Sequence, residues 1–195
     1  VETEEQWQTL TVTDADGKKI ACPVLYVRKS ENGYKAALDA AALDVWSLER
    51  PTLYWMDTGK ERVRFGHMSL GTFQAEKVLL NEKPVYLRGY IRGIIAHDHP
   101  NMTGESDYFA ARKNIMQAKK YGFNLVRFHS TIPSEDFVRA ADELGLLVHM
   151  EIGFKYETGA DGSKRVSANN AEWTETILKY RNHPSVAIFC IGNEM

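Results

Sequence analysis

The run from Val186 to Ile191, followed at once by Gly192-Asn193-Glu194, constrains this chain more than any other stretch. Six apolar residues in a row are what a short strand needs when both of its faces are covered, as they are for a parallel strand in an α/β sheet. Such a strand delivers an amide and a carboxyl group side by side at its C-terminal end. Sheets and barrels of this kind collect their reactive groups at that end.

The preceding residues change character near residue 75. Before it come short β-type runs, Trp7 to Thr13, Ile20 to Val27 and Leu53 to Met56, separated by turn residues at Asp14-Ala-Asp-Gly17 and Glu31-Asn-Gly33. Asp-Gly and Asn-Gly between alternating segments predict a small antiparallel sandwich. After it, strand and helix alternate. Val85 to Leu87 is expected as a first strand, and Ser106 as the cap of a helix from Asp107 to Tyr121 that presents Phe109, Ile115 and Met116 and stops at Gly122. Asn124 to Phe128 follows as a strand, and Ser134 caps a helix to Leu144 that stops at Gly145. Leu146 to Met150 is a third strand, and Asn170 begins a helix to about Arg181. Cap residues before the apolar periodicity and Gly after it are the physical basis of these assignments. Alternating β and α units with right-handed crossovers make a parallel sheet. The expected organisation is therefore a partial β-sandwich over 1–75 and, over 76–195, the first half of a (β/α)8 barrel.

Composition narrows the function. With 195 residues, 44% apolar and 26% charged, the chain can bury one or two cores. A net charge of -2 without a basic run argues against nucleic acid or an anionic membrane surface as partner. No stretch is long and apolar enough for a membrane span, and no phosphate-binding Gly-rich loop follows any expected strand. Cys22 and Cys190 fall in different parts and are expected as unpaired thiols. The first residue is Val1 rather than Met, as in a processed or cut chain, so the compartment stays open, with a periplasmic or secreted setting slightly preferred over the cytoplasm.

Several segments, taken in order, resemble the family 2 glycoside hydrolases, the group of β-galactosidases, β-glucuronidases and β-mannosidases. They are Val45-Trp46-Ser47 with Pro51-Thr-Leu-Tyr54, Arg64-Phe65-Gly66, Leu80-Asn-Glu-Lys-Pro-Val-Tyr-Leu-Arg-Gly89, Gly122-Phe-Asn-Leu-Val-Arg127, Ala141-Asp-Glu-Leu-Gly-Leu-Leu-Val148 and the segment ending at Glu194. The resemblance implies that the first part is the later portion of an immunoglobulin-like sandwich and the second a TIM-barrel half. It implies a retaining exo-β-glycosidase acting on terminal β-linked sugars, with Glu194 as general acid/base and the second carboxylate further downstream. Two loops depart from the family pattern, Gly89 to His99 and Arg127 to Pro133, and these carry sugar contacts, so the sugar is not specified.

Glycosidic cleavage by retention needs one carboxylic acid to protonate the leaving oxygen and one carboxylate to attack, about 5 to 5.5 Å apart. Glu194, ending a buried strand beside an amide, suits the acid role, since burial raises a carboxyl pKa. Asn193 is suited to donate to the hydroxyl next to the anomeric centre. By resemblance Arg127 orients the carboxylates, and His97, His99 and His129 line the sugar pocket. Glu151 falls where galactosidases of the family place a carboxylate that can hold a divalent ion, but simple structural hydrogen bonding is the favoured role, and no cofactor is expected. Trp46, Tyr54 and Trp55 are expected as sandwich core, and His183 as a turn element at the opposite end of the strand.

Two other readings are open. His97-Asp-His99 could hold a metal as in amidohydrolase barrels, because imidazoles two apart on an extended segment point the same way. The chain could also be a non-catalytic carbohydrate-binding module. If the half-barrel reading holds, two bare parallel edges and an apolar barrel interior predict self-association.

Overall fold

The computed structural model describes residues 10–30, 33–59, 61–73, 77–92, 108–152 and 162–193. Trp7, Glu31, Asn32, His97, His99, Ser106 and Glu194 lie outside them.

In the first part β1 (Thr11–Thr13) turns into β2 (Lys19–Ile20) through the expected Asp14–Gly17 turn. Asp14 Oδ1 accepts from the Asp16 and Lys18 amides at 3.0 and 2.9 Å, and Gly17 sits at φ +81°. A short carboxylate that satisfies turn amides, with a residue lacking Cβ in the left-handed position, makes this turn cheap. β5 (Tyr54–Asp57) and β6 (Arg62–Phe65) complete an antiparallel sheet in the order β2-β1-β5-β6. β3 (Val24–Ser30) and β4 (Gly33–Leu38) form a separate hairpin. The run Ile20 to Val27, expected as one strand, is thus divided between two sheets. Pro23 has no N–H to give a ladder, and its carbonyl takes the Asp39 amide at 2.8 Å instead. Val12, Cys22, Leu43 and Tyr54 form a small core here.

β7 (Leu70–Phe73), β8 (Lys77–Leu80) and β9 (Lys83–Val85) make a three-stranded antiparallel sheet. Asn81 and Glu82 lie at φ +51° and +65°, a two-residue left-handed turn whose twist matches that of the flanking strands. The turn sends Val85 back along β8, so Val85 to Leu87 is not the first parallel strand. That strand is β10 (Gly89–Arg92). The chain is re-aimed between the two by the Asn124 side chain, which accepts from the Arg88 amide at 2.7 Å and donates to Tyr86 O at 2.9 Å.

β10, β11 (Leu125–Phe128), β12 (Leu147–Glu151) and β13 (Val186–Cys190) form an open parallel sheet in that order. The helices α1 (Tyr108–Lys120), α2 (Glu135–Leu144) and α3 (Gly162–Tyr180) alternate with the strands as expected. Ser134 caps α2 by accepting from the Phe137 amide, and Gly145 ends it at φ +70°. α3 begins well before Asn170. That residue is exposed within the helix, where Asn costs little, and its carbonyl accepts from Thr174 Oγ1 at 2.8 Å. The face of α1 is also different from the expected one: Ala111, Ile115 and Ala118 are buried, whereas Phe109 and Met116 are exposed. Two small residues on the buried stripe allow α1 close approach to α2 and the sheet, with which it shares a core of Val126, Phe128, Phe137, Val138, Val148 and Met150.

Tyr54 is buried in the first part as expected, and Trp55 is half-buried beneath the Arg62 guanidinium. Trp46 belongs elsewhere. It is fully buried against Leu48, Leu80, Leu125 and Leu147, at the N-terminal end of the parallel sheet, and its indole donates to Asp142 O at 2.7 Å. Asp142 is itself buried. Its Oδ1 accepts from Ser185 N and Oγ at 3.1 and 2.6 Å, and its Oδ2 lies 3.1 Å from Arg64 Nη2 and 2.7 Å from His183 Nδ1. His183 is thus at the entrance of β13, as expected. Lys119 Nζ, from the end of α1, donates to Leu48, Leu144 and Gly145 carbonyls at 2.5, 2.5 and 2.9 Å. It thereby closes the C-terminus of α2, where unpaired carbonyls favour a cation.

Breaking a buried pair costs about 3–5 kcal/mol, whereas an exposed pair is worth about 0–1 kcal/mol. Asp142→Ala is therefore expected to lower the urea midpoint strongly with an unchanged m value. Asp44→Ala, which removes the exposed Arg50 pair at 3.0 Å, should barely move it. Equal shifts in the two variants would contradict this assignment.

Candidate active site

Alternate residues of the parallel strands stand in layers on the face away from the helices. Leu125, Leu147 and Ala187 pack with Trp46 at one end. The next layer pairs Ile91, Arg127, His149 and Ile188 across the four strands, and Glu151 pairs with Cys190 above it. One irregularity between Val148 and His149 shifts the register against β13, which sets Cys190 opposite Glu151.

At this C-terminal end Arg127 is the hub. Its Nε and Nη2 donate to Glu151 Oε2 at 3.2 and 2.7 Å, and Nη2 also donates to Asn193 Oδ1 at 2.7 Å. The other Glu151 oxygen, Oε1, accepts from Ser130 N and Oγ at 2.9 and 3.2 Å. Ser130 sits at φ +53°, a position that L residues seldom take. That conformation is what aims its amide at the carboxylate. Glu151 is completely buried. Burial alone would raise its pKa, but the hydrogen bonds from Arg127 and Ser130 and the Arg127 charge outweigh it and hold the carboxyl below its ordinary range. His149 moves down, first through burial and then through the Arg127 charge, which keeps the imidazole neutral.

Of the residues singled out in the sequence, the structure brings Arg127 and Asn193 into direct contact. His129 follows β11 and is half-buried, with its Nδ1 making no hydrogen bond among the described residues. Glu194, His97 and His99 lie outside the described residues. The sequence alone does not mark Ser130, His149 or Cys190 as site residues. His149 and Glu151 are two apart in Leu147–Glu151, so a polar residue in step with a carboxylate on a buried strand was the available signal. Nothing local marks Ser130.

Chemically, Glu151 is a fixed anion rather than a reagent. All four of its hydrogen bonds are to donors on the chain, so neither oxygen is left to attack or to transfer a proton. A hard oxygen-seeking ion such as Mg²⁺ does not fit there, since the neighbouring donors are an imidazole and a thiol. Because Arg127 donates to Asn193 Oδ1, the NH₂ of that amide remains as its donor half.

The family model described as "Glycosyl hydrolases family 2, TIM barrel domain" matches residues 72–195. The chain belongs to this family of glycoside hydrolases. A Formosa agariphila protein with a provisional beta-glucuronidase name is 30% identical over 163 residues, which cover 77% of this chain and 19% of that protein. A beta-galactosidase of Pectobacterium atrosepticum is 29% identical over 80% of this chain and 16% of its own length. The crystal structure of a Parabacteroides merdae beta-glucuronidase superposes with a TM-score of 0.73 at 26% identity, over 95% of this chain and 24% of that one. The chain thus spans about a fifth of the length of the curated relatives it matches.

Since the Glu151 pKa is lower in the folded state, its contribution to stability is fully present at neutral pH. It is lost as pH falls below the ordinary glutamate range and through the folded value. Glu151→Gln should therefore reduce stability at pH 7 and flatten the acid limb of the stability curve measured by urea unfolding. An acid limb as steep as in the unaltered protein would show that the carboxylate is not held in this way.

Proposed function

We propose that this chain carries the acid/base half of a retaining exo-β-glycosidase site that removes terminal β-linked sugars from oligo- or polysaccharides. Glu194 is the general acid/base. Asn193 donates to the hydroxyl beside the anomeric carbon, Arg127 orients the constellation, and His97, His99 and His129 line the sugar. The observation that carries the reading is the bridge made by Arg127 between Glu151 and Asn193, the residue that immediately precedes Glu194. It supports the reading because it holds the Asn193 amide at the C-terminal end of the parallel sheet, next in sequence to Glu194. The names of the relatives support a β-galactoside or β-glucuronide as substrate.

Retention needs a second carboxylate that attacks the anomeric carbon. The Glu151 carboxylate is already engaged by Arg127 and Ser130, which argues against it as nucleophile; in this reading the attacking carboxylate lies further downstream in the longer protein, and the chain alone is expected to be inactive. The domain organisation that goes with this reading is an immunoglobulin-like sandwich portion over 1–75 and the first half of the barrel over 76–195. No cofactor is required. Family membership gives no support to an amidohydrolase metal centre at His97 and His99, nor to a purely binding module. Among the described residues no helix is long and apolar enough to cross a membrane.

The proposal is tested in the longer protein. Glu194→Gln cannot give or take a proton, which is worth about 10²- to 10⁴-fold in rate. The loss should be greatest for poor alcohol leaving groups and least for activated aryl glycosides. Azide should restore turnover and yield a β-glycosyl azide. Uniform loss on all substrates without azide rescue would remove Glu194 from the mechanism.

The edges β10 and β13 of the parallel sheet have no further strand among the described residues. Unpaired strand edges associate with what is available. Purified alone, the chain should sediment as concentration-dependent oligomers. A monomer at high concentration would contradict the open-edge account.

A further inference from the structure

We propose that His149, Glu151 and Cys190 form a site for a borderline-soft divalent ion of the Zn²⁺ class, and that this ion competes with Arg127 for Glu151. One ligand atom from each residue lies within 4.8 Å of the others. The strand register creates the cluster: Glu151 pairs with Cys190, and His149 stands two residues before Glu151 on the same face. Two of these donors are underused. Among the described residues His149 Nε2 is buried without a hydrogen-bond partner, a costly state, and Cys190 Sγ is engaged only with Gly192 O at 3.2 Å.

An imidazole, a thiolate and a carboxylate match zinc, which takes nitrogen and sulfur at about 2.0–2.3 Å. At those bond lengths the ligand atoms would stand about 3.5 Å apart, so the cluster contracts slightly through side-chain rotation. The thiol gives its proton to solvent as the ion binds. Three protein ligands leave a fourth position for water. Glu151 can join only by releasing a bond to Arg127, which keeps its existing bond to Asn193 Oδ1 at 2.7 Å. The ion therefore displaces the guanidinium from the carboxylate rather than adding to it. That this would inhibit turnover rests on the glycosidase reading; the existence of the site does not.

The probe is Co²⁺, which substitutes for zinc and reports sulfur ligation as a thiolate-to-cobalt charge-transfer band. One equivalent should produce the band, and excess Zn²⁺ should erase it. Cys190→Ser should abolish it, Cys22→Ser should leave it unchanged, and His149→Asn should weaken binding by more than the roughly 10- to 100-fold typical of losing an outer-shell partner. Arg127→Gln, without the competing cation, should tighten it. Absence of the band in the unaltered protein overturns the site whatever the variants do. A band that survives Cys190→Ser, or disappears in Cys22→Ser, does so as well, and weaker binding in Arg127→Gln overturns the competition.

Discussion

Asp142 is the interaction on which the remainder of the molecule depends. A carboxylate with almost no exposure is tolerable only when its lone pairs are filled, and Asp142 is held, through its carboxylate and its backbone carbonyl, by groups from three regions. Arg64 comes from β6, His183 and Ser185 from the turn before β13, and the Trp46 indole takes the Asp142 carbonyl. Glu143 extends the network, joining Arg64 at 2.7 Å to Arg112 of α1 at 3.1 Å. Close packing at two glycines completes the joint. A Cβ on Gly66 would stand 2.6 Å from Pro184, and one on Gly145 would stand 2.4 Å from Leu48 O. The antiparallel part is thereby seated on the N-terminal end of the parallel sheet.

That seating matters for the opposite end. With Trp46, Leu125 and Leu147 closing one end of the strand layers, the polar layers above them have a fixed floor. The charge of Glu151 is then compensated locally by Arg127 and Ser130. These polar groups are thus held in position by their neighbours rather than by solvent. Arg127 serves both layers, since its strand position pairs with His149 while its head reaches Glu151 and Asn193.

The parallel portion was largely legible because its signals are local. Ser134 and Gly145 mark the ends of α2 by cap chemistry, and apolar runs mark β11, β12 and β13. What failed locally had a non-local cause. Val85 joins a different sheet from the one its own segment suggests, because strand pairing with Val78 decides it. Phe109 and Met116 suggest a buried face, but the side of α1 that meets α2 is chosen by Ala111 and Ala118, whose size permits contact. Trp46, Arg64, Gly66, Asp142 and Gly145 could be noted as motif members, yet their shared purpose appears only when distant segments meet. In the site, Arg127 and Asn193 could be named from strand ends. The αL amide of Ser130 could not, because no residue type at that position advertises it.

The central claim is that a strand-end carboxyl at Glu194 works by double displacement beside the Arg127-fixed amide. The most direct measurement is the anomeric configuration of the first-formed sugar when the longer protein hydrolyses an aryl β-glycoside, followed by proton NMR before mutarotation. The account predicts the β anomer, because two inversions at the same carbon restore the starting configuration. Initial release of the α anomer would mean a single displacement by water and would contradict it.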